Sequence, residues 1–151
     1  MTNTCKSRFC FLPENAQKGS CSVDIGVYKG AILIYTIEAK VLPIPERSEH
    51  EYVYGTGGGI QRFKDEKHGL GNQDELIPFN GMIAYIKEQD FDYWHTQTNT
   101  WIEEAGWHDA EKLEKIDFNK IGRLKSIHQR IGGTYVYLDH FWVYVTDQDE
   151  G

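Results

Sequence analysis

Residues 31–42, AILIYTIEAKVL, restrict the possible fold more than any other part of the chain. Positions 31–37 form an almost unbroken apolar and β-branched run, the pattern of a strand covered on both faces, and the run ends in Glu38-Ala39-Lys40. Strand alternation sends Glu38 and Lys40 to one face and Ala39 to the other, so a carboxylate and an ammonium stand side by side where the buried strand ends. Upstream lies a second strand-like run, CSVDIGVY, which contains Asp24 and is joined to the first by Lys29-Gly30, a dipeptide suited to a tight turn. A hairpin at that point brings Asp24 alongside Glu38.

Asp followed by Glu-x-Lys on the neighbouring strand resembles the PD-(D/E)xK nuclease superfamily. The string from Val23-Asp24-Ile25-Gly26 through Ile37-Glu38-Ala39-Lys40-Val41-Leu42-Pro43 to Gly58-Gly59-Ile60-Gln61-Arg62-Phe63-Lys64 is similar to small bacterial restriction-endonuclease-like proteins that accompany phage-defence genes. The likeness covers about residues 8–105. It implies an α/β fold of the restriction-endonuclease-like kind, a mixed central sheet flanked by helices in a single compact domain, and a metal-dependent nuclease cutting DNA. By the same resemblance Asp24 and Glu38 hold Mg²⁺ (or Mn²⁺), a hard cation that takes oxygen ligands and acidifies a bound water. Lys40 then orients that water and offsets charge developing on the phosphate, and Gln61 approaches from the following helix. Members of the superfamily carry a helix before the first strand, whereas this sequence reads as strand almost from its start. That departure leaves open whether one protomer completes the fold, with a homo-oligomer or a partner defence subunit as candidates to complete it. The alternative to the nuclease is a catalytically silent nuclease-like binding or scaffold subunit of a defence complex. A third reading, an acidic inhibitor or immunity protein, rests on charge alone.

The formal net charge of −7 argues against a broad basic surface for bulk DNA, because non-specific affinity comes from Lys and Arg on phosphates. Contact with DNA must then come from a local patch, and Arg62, Lys64 and Lys67 supply one on a predicted helix over 60–68, capped by Thr56 and ended by Gly69. The glycine-rich lead-in GTGGG reads either as a phosphate cradle or as a flexible connection. Without a G-K-[ST] ending it is no P-loop, which excludes nucleotide hydrolysis of that type. At 151 residues and 40% hydrophobic content the chain buries a core without staples, as one domain over 1–151 with flexible ends at 1–6 and 147–151. The cysteines Cys5, Cys10 and Cys21 lack zinc spacing, and Cys10 and Cys21 read as small buried hydrophobes. With no span-length apolar run and no secretion signal, a cytoplasmic location is expected.

Elsewhere 7–12 reads as a short strand, followed by a loop from Pro13-Glu14-Asn15 in which Glu14 is either a further metal ligand or an exposed carboxylate. A charged loop over 46–51 and a short extended piece at 52–54 precede the glycines. Residues 81–87 read as a strand, and 91–105 as a helix with an apolar face at Phe91, Trp94, Thr98, Trp101 and Ile102. His95 reads as a packed or surface histidine. Residues 103–115 look solvated, and Lys125, His128 and Arg130 offer a second basic spot within 124–130. The β-forming runs 134–138 and 141–145 read as a strand pair or one bent strand, and strand alternation separates Asp139 from His140.

Overall fold

A computed structural model describes residues 9–17, 22–44 and 49–145. The predicted ends, Cys5, Cys21, the loop around Gly19-Ser20 and part of the charged loop lie outside the described residues, as does the side chain of Glu14.

Strands β1 (Phe9–Ala16), β2 (Ser22–Lys29) and β3 (Ile32–Leu42) form an antiparallel meander. Its second turn is made at Gly30, whose φ of +64° favours a residue without Cβ. The chain then crosses through a 3-10 turn at Glu49–Tyr52 and helix α1 (Gly59–Lys64) to β4 (Phe79–Ile86), which runs parallel to β3. Helix α2 (Phe91–Glu104) and a 3-10 turn at Asp109–Glu111 lead to β5 (Glu114–Phe118), β6 (Ile121–Gln129) and β7 (Tyr135–Tyr144). These complete one seven-stranded mixed sheet in the order β1-β2-β3-β4-β7-β6-β5.

The two stretches of aromatic residues near the end are thus a single strand. Pro13-Glu14-Asn15 belongs to β1 and opens no loop, while 52–54 is not extended. Cys10 is exposed on the outer strand, contrary to the buried position expected of it.

The main core cluster lies on one face of the sheet. Met82, Ala84, Ile86, Leu124, Val136, Leu138 and Trp142 meet Ile60 and Phe63 of α1 and Phe91, Trp94, Trp101 and Ile102 of α2. Each large aromatic buries roughly 150–250 Å². At about 25 cal/mol/Å² that is about 4–6 kcal/mol of driving force apiece, before the entropy of ordering. The opposite face keeps Phe79, Ile127, Tyr135 and Tyr137 exposed, so the sheet is flanked by its two helices on one side only among the described residues. None of the helices there is long and apolar enough to cross a membrane.

On the open face Tyr35 reaches across β4 and donates its hydroxyl to Asp139 Oδ2 on β7 at 2.9 Å. The crossing passes over Gly81, where an added Cβ would stand 2.5 Å from the Tyr35 oxygen.

Candidate active site

The β2/β3 register pairs Ile25 with Ile37, which sets Asp24 beside Glu38 as the hairpin requires. Asp24 is exposed at the sheet surface, and its Oδ2 accepts from the Ala39 N–H at 2.8 Å. Glu38 is buried, 4% exposed. Its Oε1 lies 3.7 Å from both Lys40 Nζ and Arg62 Nη1, and its Oε2 lies 3.6 Å from Nδ1 of the fully buried His68. That Oε2 has no hydrogen-bond partner among the described residues. Burial, followed by the neighbouring Asp24 charge, pushes the Glu38 carboxyl up to about 7, against the opposing pull of Lys40 and Arg62. Near neutral pH the group is poised between its two protonation states, and a cation placed beside it would hold it ionised.

Lys40 is set by the segment after the first 3-10 turn. Its Nζ donates to the Gly57 carbonyl at 2.9 Å, so the glycine-rich lead-in presents an acceptor to the site's lysine. Close packing demands two of those glycines. A Cβ on Gly58 would stand 2.6 Å from the Tyr54 carbonyl carbon, and one on Gly59 2.4 Å from Met82 Cε. Helix α1 begins at Gly59 with Gly58 as its N-cap, and Thr56 makes no cap. It ends at Lys64, well short of His68, and the chain turns away through Glu66 at φ +59°.

Of the helix residues expected at the site, only Arg62 adjoins Glu38. Gln61 turns its amide to Asp65 Oδ1 at 3.0 Å. Lys64 is drawn inward to a buried partner, the Glu111 carboxylate, and its ammonium lies 4.2 Å from the centre of the Trp107 ring, which removes it from the exposed basic patch. Lys67 is exposed beyond the helix end.

The second basic spot does not exist as a surface. Along β6 the side chains alternate, so Lys125 faces solvent with Glu114 at 3.5 Å while His128 and Arg130 are buried at 0% and 3% exposure. Glu111 is likewise buried, although its segment was expected to be solvated. His95 packs against Phe118 with Nε2 2.8 Å from the Leu113 carbonyl oxygen. Asp139 and His140 do face opposite sides.

Sequence reasoning missed His68, which follows a helix and a positive-φ turn and carries no spacing signal that points to Glu38. It also missed the Gly57 carbonyl, for which side-chain patterns give no clue at all. The donor set of two adjacent carboxylates, one with an orphaned buried oxygen, fits a hard divalent cation chemically. Among the described residues no group of three acid, His or Cys side chains gathers to hold a metal, so water would supply the remaining ligands. No protein-family model, no curated protein and no solved structure matches the chain, so the reading of this site rests on its own residues.

Proposed function

We propose that the chain is a metal-dependent nuclease that hydrolyses phosphodiester bonds in DNA, in bacterial defence or restriction, with a restriction-endonuclease-like fold. One observation carries the reading: Glu38 is buried beside Asp24 with a free oxygen and a raised pKa, and Lys40 is held next to it by the Gly57 carbonyl. Such a pair is costly to ionise without a cation. Asp24 and Glu38 would hold Mg²⁺ or Mn²⁺, which when bound acidifies a water and draws charge from the phosphate.

The chain's own groups do the rest. Lys40 presents an ammonium at the carboxylate pair, where it orients the attacking water and meets charge growing on the phosphate. Arg62, with its head group toward Glu38, meets a phosphate oxygen of the same strand. Gln61 and Lys67 are placed to contact DNA only after leaving their present partner or reaching in from solvent.

A catalytically silent nuclease-like subunit is the second reading. The aromatic sheet face that no helix covers among the described residues favours it, because it offers a partner protein a surface that catalysis does not need. Calorimetric Mn²⁺ titration and plasmid nicking of the parent and Asp24→Ala separate the two. Metal binding and nicking that both vanish in the variant support the nuclease. Mn²⁺ binding without nicking supports the silent subunit, and parent protein that binds no metal refutes the site.

A further inference from the structure

The helix-covered face of β6 and β7 carries polar groups where an apolar core would suffice: Ser126 is 4% exposed, and His128 and His140 are fully buried. They belong to one chain of contacts. Trp142 Nε1 lies 3.1 Å from Tyr52 Oη, which lies 2.7 Å from His140 Nδ1. His140 Nε2 is 2.7 Å from Ser126 Oγ, which is 2.8 Å from His128 Nε2. His128 Nδ1 is 3.2 Å from Glu111 Oε1, the same oxygen that receives Lys64.

Donor capacity fixes the direction of every link. An indole N–H only donates, so the Tyr52 oxygen accepts from Trp142 and the Tyr52 hydroxyl donates to His140 Nδ1. Neutral His140 then carries its hydrogen on Nε2 and donates to Ser126. The serine hydroxyl donates to His128 Nε2, and His128, protonated on Nδ1, donates to the Glu111 carboxylate. In the reverse direction the Tyr52 hydroxyl hydrogen has no acceptor among the described residues.

The two ends of this chain are the two ends of one segment. Tyr52 precedes Gly57, which holds Lys40, and Lys64 follows Gln61 and Arg62. We propose that the chain is a proton-ordered clasp on residues 52–64, fixing the segment that builds the site, and that a proton added to His128 opens it. With both its nitrogens protonated, His128 donates to Ser126, whose hydroxyl keeps a buried acceptor only by turning to His140 Nε2. The His140 hydrogen must then sit on Nδ1, facing a Tyr52 oxygen that already accepts from Trp142, and the Tyr52 hydroxyl is left without an acceptor in the core.

The groups facing His128 are Glu111 from the second 3-10 turn, Lys64 from α1, His140 and Ser126 from the sheet, and the Trp107 ring. Burial opposes a proton on His128, Glu111 favours it and Lys64 opposes it, so the clasp stays closed near neutral pH and opens in acid. Ser126, His128 and Glu111 have the order of a hydrolytic triad, yet the serine hydroxyl points into the packed face. Ser126 also lines a cavity of about 410 Å³ with Phe79, Ala110, Ile127, Tyr137 and Asp139, while its hydroxyl is engaged between His140 and His128.

The effect on the site rests on the nuclease reading, whereas the clasp itself needs neither metal nor DNA. Long-range ¹H–¹⁵N correlation spectra of the full chain test it directly. Near neutral pH His140 should show the Nε2–H tautomer and His128 the Nδ1–H tautomer. On acidification both histidines and the Tyr52 ring should shift with one midpoint, and amide exchange across 53–62 should accelerate about tenfold or more, the scale of one unsatisfied buried donor. In Ser126→Ala the Tyr52 ring should no longer follow His128. The opposite tautomer at either histidine, or titration of His128 that leaves His140 and Tyr52 unmoved, overturns the clasp. If Ser126→Ala does not fold, the parent tautomers and shared midpoint decide alone. Loss of Mn²⁺ binding would leave those tautomers standing and count only against the nuclease.

Discussion

Replacing Glu38 with Gln gives a pH-dependent change in stability that follows from the burial of this one carboxyl. Glu38 titrates at about 7 in the folded chain, against an ordinary value of 4.5. Between those values the folded state binds more protons than the unfolded one, so this group makes stability fall as pH rises from 4.5 to about 7. Below 4.5 it contributes no penalty, and above about 7 the penalty is complete. At about 1.4 kcal/mol per pH unit that penalty is about 3 kcal/mol. Glu38→Gln keeps the shape and removes the ionisation, so the variant should match the parent near pH 4 and exceed it by about 3 kcal/mol near pH 8. For a chain of this length the gain corresponds to roughly 6–12 °C in Tm. Taking the difference between the two proteins cancels the other titrating groups, including the buried histidines. Thermal unfolding followed by circular dichroism at several pH values measures it, and Mn²⁺ should narrow the gap by stabilising only the parent. A difference that stays flat across pH 4–8 would refute the picture of a carboxylate strained by burial.

Lys40→Ala should leave Mn²⁺ affinity intact in calorimetry while lowering plasmid nicking by about 10²-fold or more, the scale of one lost electrostatic stabiliser. Arg62→Glu should abolish DNA binding in gel shifts, whereas Lys125→Glu, on the other face and paired with Glu114, should change it little. Across a salt series the parent should show a slope of roughly −0.9 per phosphate neutralised, and a steep slope would mean a larger basic surface than Arg62 and Lys67 provide. Gly81→Val should cost about 1–3 kcal/mol in urea unfolding by driving Tyr35 off its path. Pairing it with Tyr35→Ala should recover part of that loss.

What the sequence disclosed and what it withheld divide along the range of the interactions. The hairpin that joins Asp24 to Glu38 and the apolar stripe of α2 are local periodicities, and both stand in the folded chain. Lys64 could not be placed from its helix, because the partner that draws it inward lies 47 residues away. The buried position of His128 and Arg130 was within reach, since a period of two along β6 separates them from Lys125. Weighing the three as one basic cluster overlooked that alternation. His140 and Asp139 lie between two aromatic runs, and strand alternation already separates them; their partners are long-range, Tyr52 and Ser126 for one and Tyr35 for the other.

The position of β7 has a consequence for synthesis. It is the last strand in chain order among the described residues, yet it lies inside the sheet, bonded to β4 on one side and β6 on the other. As the chain leaves the ribosome, β1 to β4 and the β5/β6 hairpin emerge first, and nothing in the sheet joins them until residues 135–144 arrive. During that interval β4 and β6 each present an unpaired backbone edge beside large apolar side chains, a template for pairing with other nascent chains. Shielding is therefore needed until β7 is made, and a chain stopped just before Tyr135 should be far more prone to aggregate than one that has completed that strand.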